Sequence, residues 1–399
     1  MNKHKIDYSA YPEIKWLNPY EALYYQEKRD ALLAPFHESA LFKGTKPFLK
    51  GISKGCELCG QGLWSCLFIA SKCNATCFYC PTAQNSNDVP ESQGLTFETA
   101  ASYAGYINYF GFKGVGFSGG EPLLVAEKVL AYTTELRKTC NSDLYIWMYT
   151  NGLLASKKIF SQLGKAGINE VRFDIGATDY NLDAIEKARG YIQNLTIEIP
   201  AVPEETELLK KLLPQMVDAG ITNLNLHQIR LTPYNVKKLA TRNYTYIAAE
   251  QPIVLESELA ALEIMNYARE KSIPIGINYC SFFFKNRFQK AGYFKRIATS
   301  LGINEAEISE KGFIRNLNAN ELTYDGIRLS DNGNQQGELK PLILNHKCYN
   351  YQRSNAFHVK LSGKEYSEIL PEIANCIPIS QVAFDIWMHE FIEKGLREY

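Results

Sequence analysis

The chain has 399 residues, of which 46% are apolar and 22% charged. That balance excludes a wholly disordered, collagen-like or coiled-coil chain and fits two or three globular domains. The 43 Lys and Arg cancel the 43 Asp and Glu, so no global field draws the protein to nucleic acid.

No window approaches the roughly 20 apolar residues of a membrane helix. The opening MNKHKIDYSAYPEIKW has no apolar stretch behind its lysines, so it does not read as a secretory signal and a cytoplasmic location is expected. There, cysteines serve as metal ligands, redox groups or buried thiols rather than as a disulfide framework. Six of the ten fall between Cys56 and Cys80; Cys140, Cys280, Cys348 and Cys376 are scattered.

From Leu63 to Asn278 strand-like and helix-like stretches alternate. Leu63–Ala70 reads as a strand and Thr96–Phe110 as a helix with Ala100, Tyr103, Ala104 and Ile107 at helical spacing. Val115–Phe117 is a short strand before a glycine pair, Leu124–Thr139 a helix, Leu144–Tyr149 a strand. Ser156–Ala166 is a helix closed by Gly167, followed by strand Glu170–Ile175, helix Asp179–Ile192 and strand Leu195–Ile199. Glu204–Ala219 is the clearest helix, with an acidic first turn that suits the helix dipole and Pro214 as an expected kink. Asn223–Ile229, Ser257–Lys271 and Ile275–Tyr279 complete the series as strand, helix and strand.

Such alternation predicts an α/β fold with a mostly parallel sheet and helices packed outside it. About six units are too few for a closed eight-fold barrel, so a partial barrel is expected, with an open doubly wound sheet as the alternative. Either way the loops after the strand C-termini should carry the chemistry. Residues 1–60 read as an N-terminal extension, 61–280 as the core and 281–399 as a small α+β domain. In the last, Phe313–Leu329 and His358–Leu361 are strand candidates around the polar loop Ser330–Glu338, and Ala383–Lys394 is a closing helix.

The central motif is Cys73-Asn-Ala-Thr-Cys77-Phe-Tyr-Cys80. Three thiolates on one loop can reach a common centre, and thiolates suit iron–sulfur clusters and zinc. A buried structural thiol cluster, or three ligands of a zinc site, is the bland reading. Three ligands rather than four leave one position open, which indicates chemistry rather than electron storage.

With Tyr79 before its last cysteine, this motif resembles the signature of the radical S-adenosylmethionine superfamily. A second landmark, Phe117-Ser-Gly119-Gly120-Glu121-Pro122, follows at the end of the next strand. It resembles the turn that contacts the amino group of S-adenosylmethionine. Glycines let backbone approach a ligand, and their carbonyls and Glu121 offer acceptors to an ammonium. Tyr149-Thr150-Asn151-Gly152 and Leu231-Thr232-Pro233-Tyr234-Asn235 resemble further strand endings of the superfamily. The latter resembles pyruvate formate-lyase activating enzymes, with Asn235 in place of a histidine. The whole chain looks closest to an uncharacterised branch related to those proteins.

The resemblance implies a partial (β/α)6 barrel in which Cys73, Cys77 and Cys80 hold a [4Fe–4S] cluster whose fourth iron binds S-adenosylmethionine. Reductive cleavage would give a 5′-deoxyadenosyl radical that abstracts hydrogen from a substrate. A flavodoxin or ferredoxin donor is implied. Tyr79 would pack near the adenine or serve as plain core, and Asn151 would contact the cofactor. Asp174 would accept from ribose hydroxyls or pair with Arg172 or a lysine, and Glu198 has a weaker claim. Asn225 and His227 share one strand face and would meet substrate if that face lines the barrel.

Gly55-Cys56-Glu-Leu-Cys59-Gly60 presents two more thiols, with Cys66, Cys280 or Cys348 as partners and Cys280 preferred for its place after a strand. An auxiliary iron–sulfur cluster, a zinc knuckle and no metal all stay open. Cys140 and Cys376 read as buried thiols. The stretch Phe282–Arg296 interleaves aromatic and basic residues; it reads as an amphipathic helix with a solvated basic face rather than an RNA or anion surface. Three functions compete: direct modification of a small molecule, peptide or RNA base; activation of a glycyl-radical enzyme; and a non-catalytic metal-binding carrier or interaction protein.

Overall fold

The computed structural model describes residues 6–38, 40–84, 89–249, 251–303, 305 and 308–313. The sequence expectations for 314–329, 330–338, 358–361 and 383–394, and for Cys348 and Cys376, lie outside those residues.

Seven parallel strands follow one another in chain order: β1 (Trp64–Ala70), β2 (Gly114–Gly119), β3 (Tyr145–Thr150), β4 (Glu170–Phe173), β5 (Asn194–Pro200), β6 (Asn223–His227) and β7 (Gly276–Cys280). Between them lie α1 (Ala100–Tyr109), α2 (Ala126–Thr139), α3 (Lys157–Ala166), α4 (Asp183–Ala188), α5 (Thr206–Asp218) and α6 (Leu255–Glu270). Neighbours in sequence are neighbours in the sheet, without the reversal of order that marks a doubly wound fold. No pairing joins β1 to β7 among the described residues, so the six strand–helix units form a partial barrel.

Both faces of the central strands are buried, as covered parallel strands require. Phe117, Ile146, Met148, Val171, Ile197, Leu224 and Ile277 are wholly buried. Ser156 caps α3 through the Ile159 amide, and Gly167 ends it in the left-handed conformation at φ 106°. Pro214 sits within the single helix α5. The expected helix Asp179–Ile192 is shorter. A 3-10 turn covers Ile175–Thr178, and Asp179 and Tyr180 turn through positive φ before α4 begins.

The sheet extends past its parallel strands at both edges. Phe48–Leu49 pairs antiparallel with β7, and a hairpin of Glu91–Ser92 and Leu95–Thr96 pairs with β1. The adjoining helix Lys54–Gly60, capped by Ser53, packs against β2 and β3 and brings Cys56 with it. Among the described residues no helix is long and apolar enough to cross a membrane.

Candidate active site

The three cysteines lie on the loop that leaves β1. Cys73, Cys77 and Cys80 all line one cavity of about 350 Å³, together with Tyr79, Gly119, Gly120, Glu121, Asn151, Asp174 and His227. Burial pushes the Cys77 thiol up to about 11, and Asp174 adds to that shift. The Ala75 amide points at Cys73 Sγ from 3.4 Å, and Asn151 Nδ2 from 3.7 Å.

The turn after β2 is packed against this loop. Gly120 N donates to Ala70 O and Glu121 N to Lys72 O, both at 2.8 Å. A Cβ at Gly119 would stand 2.0 Å from Ala70 O, and one at Gly120 1.9 Å from Lys72 O. The glycines are therefore required first by the cysteine loop, which a side chain would push away. Glu121 is 1% exposed, and its carboxylate accepts from the Leu123 amide (2.9 Å), Thr150 Oγ1 (2.7 Å) and the Asn151 amide (2.7 Å). Burial raises its pKa and these three donors oppose the rise. Glu121 thus ties the end of β3 to the turn. Asn151 completes the tie by donating to Asn74 Oδ1 at 2.7 Å.

Tyr79 donates its hydroxyl to Asp174 Oδ1 at 2.9 Å. Burial raises the Asp174 pKa to about 6, although Tyr79 and the Gly176 amide both favour its ionised form. Asp174 does not pair with Arg172, one of the structural partners expected for it. Arg172 meets Glu170 Oε1 at 2.9 Å, Glu198 Oε2 at 2.6 Å and Ser53 Oγ at 2.9 Å. Burial would push this guanidinium down, but Glu170 and Glu198 more than reverse it. Glu198 would likewise rise on burial, yet Arg172 and His227 hold it well below the usual carboxylate range.

His227 lines the cavity, whereas Asn225 on the same strand face is wholly buried behind it, donating to Glu198 Oε2 at 2.9 Å. His227 Nε2 stands 2.7 Å from Glu198 Oε1, and Nδ1 stands 2.6 Å from Lys285 Nζ. An ammonium only donates, so Nδ1 accepts and the ring proton sits on Nε2, facing Glu198. Burial and Lys285 push the imidazole down to about 4, so it is neutral at pH 7.

Arg230 was not singled out by sequence reasoning, and Lys285 was read as part of a solvated basic face. Phe282–Arg296 is not one amphipathic helix with a solvated basic face: a π-turn over Lys285–Lys290 interrupts it. The wider turn re-aims side chains. Lys285 lines the cavity, and Arg296 donates to the carbonyl of Gly62. The guanidinium of Arg230 lies 4.6 Å from the Phe282 ring centre and the ammonium of Lys285 5.0 Å. Burial lowers Arg230 to about 10 and Lys285 to about 8. Asn235 was also missed as a positioning residue. Its amide donates to Tyr79 O and Arg230 O at 3.1 and 3.0 Å, which holds the end of β6 to the cysteine loop.

The residues fit a thiolate-held cluster. Three thiols from one loop share a cavity, and two N–H groups point at one sulfur, the outer-shell arrangement that supports such ligands. Among the described residues no three Cys, His, Asp or Glu side chains form a group able to hold a single metal ion.

The chain is similar to several known proteins. A Methanocaldococcus jannaschii protein named for glycyl-radical enzyme activation is 24% identical over 305 residues, covering 73% of this chain and 77% of that one. The GTP 3′,8-cyclase of Petrotoga mobilis is 23% identical and covers 73% of this chain and 93% of its own length. The Desulforamulus reducens GTP 3′,8-cyclase is 30% identical, but the match spans only 32% of its length. Among solved structures, HydG, a maturase of the [FeFe]-hydrogenase, is 11% identical with a TM-score of 0.38, covering 71% of this chain and 78% of that one. AdoMet-bound anSMEcpe is 18% identical with a TM-score of 0.33, covering 41% and 51%. Residues 67–191 match the family described as the Radical SAM superfamily. That segment holds the three cysteines, the Gly-Gly-Glu-Pro turn and Asp174, and through it the chain carries a Radical SAM superfamily domain.

Proposed function

We propose that the protein abstracts hydrogen directly from a small anionic molecule, using a radical generated from S-adenosylmethionine. The observation that carries this reading is the division of charge within one cavity. On the β1–β4 side stand the three thiols, Glu121 and Asp174; on the β6–β7 side stand Arg230 and Lys285 beside Phe282. Among the described residues neither of those cations forms an ion pair with a carboxylate, so a carboxylate or phosphate of the substrate would complete them.

Cys73, Cys77 and Cys80 would hold a [4Fe–4S] cluster. When bound, the cluster and S-adenosylmethionine supply one-electron cleavage of the sulfur–C5′ bond and a 5′-deoxyadenosyl radical. The chain's own residues would do the rest. Asn151 and Glu121 hold the cysteine loop against β3. Asp174 would accept from the ribose hydroxyls, with Tyr79 fixing its carboxylate. Glu198 holds the neutral His227 toward the substrate side. A flavodoxin or ferredoxin would supply the electron. Activation of a glycyl-radical enzyme is the second reading, favoured by the name of the M. jannaschii relative.

Anaerobically reconstituted, reduced protein incubated with S-adenosylmethionine should release 5′-deoxyadenosine, read by liquid chromatography. No product under either dithionite or reduced flavodoxin would reject the reading. Release stimulated by a glycyl-radical protein but by no small anion would select the second reading.

Asp174 makes cofactor binding pH-dependent. As an ionised acceptor it works above about pH 6, so calorimetric affinity for S-adenosylmethionine should rise as pH increases from 5 to 7 and flatten in Asp174→Asn. Linkage gives stability the opposite sign. The native state keeps this proton to a higher pH than the unfolded chain, so the group's contribution to stability falls as pH rises from about 4 to about 6. A pH-independent affinity in the parent protein would remove Asp174 from the site.

A further inference from the structure

A second group of thiols lies outside the cysteine loop. Ser53 caps the helix Lys54–Gly60 by accepting from the Cys56 amide, and Cys56 and Cys59 then stand three residues apart on neighbouring turns. Cys280 ends β7 and is 6% exposed; Cys56 is 5% exposed. Between these elements lies Lys46, which is 1% exposed. Its ammonium stands 2.6 Å from Cys280 Sγ and 4.5 Å from the centre of the Phe284 ring. Cys56 and Cys59 fall within the electrostatic reach of the same ammonium, and Arg172 faces Cys56 as well. Of the three partners considered for the Cys56–Cys59 pair, the fold thus brings up Cys280. Cys66 instead bonds Ser118, and Cys348 is outside the described residues.

Lys46 is what needs explaining. No described carboxylate pairs with it, and a fully buried ammonium without counter-charge is costly. Its close polar partner is a cysteine sulfur. A [4Fe–4S] core with three thiolate ligands is a net anion, and N–H groups directed at its sulfurs stabilise it.

We propose that Cys56, Cys59 and Cys280 hold a second iron–sulfur cluster at the floor of the cavity, with the Lys46 ammonium as its counter-charge and hydrogen-bond donor. The position has a consequence. Cys280 lies directly across from His227 in the β6–β7 register, and His227 lines the cavity. The second centre would therefore sit beneath the substrate, on the β6–β7 side. This inference rests only on the buried thiols and lysine and does not depend on the reading of the substrate.

Iron, sulfide and zinc counts on the anaerobically reconstituted full chain test it, with electron paramagnetic resonance of the reduced protein. Two four-iron clusters give about eight irons per chain. The Cys73/Cys77/Cys80 triple alanine variant should keep about four, with a signal that S-adenosylmethionine does not perturb. Cys280→Ser should lose about four while keeping the signal that S-adenosylmethionine does perturb, which also shows that the variant folds. Lys46→Met should move the midpoint potential of the second signal downward, because the cation favours the more negative, reduced cluster. About four irons in the parent chain and none in the triple variant would overturn the proposal. So would about one zinc per chain, lost in Cys280→Ser. An unchanged potential in a Lys46→Met variant that keeps all its iron would remove Lys46 from the proposal.

Discussion

Alanine at Cys73, Cys77 and Cys80 together should abolish 5′-deoxyadenosine formation, to below the detection limit rather than by a modest factor. The three thiols share one loop and one cavity, and the loop is held by bonds that do not involve sulfur: Gly120 N to Ala70 O, Glu121 N to Lys72 O, and Asn235 Nδ2 to Tyr79 O. The variant should therefore stay folded while losing its metal, and circular dichroism with iron counting separates the two effects. Each single alanine variant should be nearly as inactive, because two thiolates do not retain a cube. Cys140→Ala is the matched control. Its sulfur rests 3.7 Å from Ala104 O, away from the cavity lining, and activity should be unchanged. Substantial turnover in the triple variant would end the radical reading.

Arg172→Met should produce the largest loss of stability of any single change in the barrel interior, about 3–5 kcal/mol. The guanidinium is 3% exposed and serves Glu170, which is wholly buried, and Glu198, which is 10% exposed at its side chain. Removing it leaves two interior carboxylates without their cation, and it frees Ser53 Oγ, the cap of the helix that carries Cys56. Chemical denaturation of the parent and variant measures the difference. The double variant Arg172→Met/Glu198→Gln should recover part of it, because one stranded charge is then gone. A midpoint within experimental error of the parent would show that water reaches the network and the pair is not sealed.

The units from β1 to β7 were legible in the sequence because each buried strand is a short apolar run and the helices carry periodic apolar residues, some with a cap or a closing glycine. Ser156 and Gly167 around α3 are examples. The cysteine loop and the Gly-Gly-Glu-Pro turn were legible as motifs, since their spacing along the chain is short. What stayed hidden depends on contacts between distant segments. Lys46 and Cys280 are 234 residues apart, and nothing in the surroundings of Lys46 in the sequence distinguishes it from a solvated lysine. Lys285 was assigned to a solvated face because a helical repeat of 3.6 residues was assumed, and the π-turn breaks that repeat. Glu121 was taken as an acceptor for an ammonium. Its role in binding Thr150 and Asn151 follows only from the parallel pairing of β2 and β3.

The seam left between β1 and β7 among the described residues bears on how the barrel avoids pairing with other chains. An unpaired strand edge is a template for another chain, and a cylinder that stops short has two. Here each is covered by a piece of strand only two residues long, Phe48–Leu49 on one side and Glu91–Ser92 on the other. Short antiparallel flaps of this kind offer little ladder for a stranger to extend. The helix that follows β7 bridges the gap without extending the ladder: the Tyr293 and Tyr106 hydroxyls meet at 2.8 Å, and Arg296 donates to the carbonyl of Gly62.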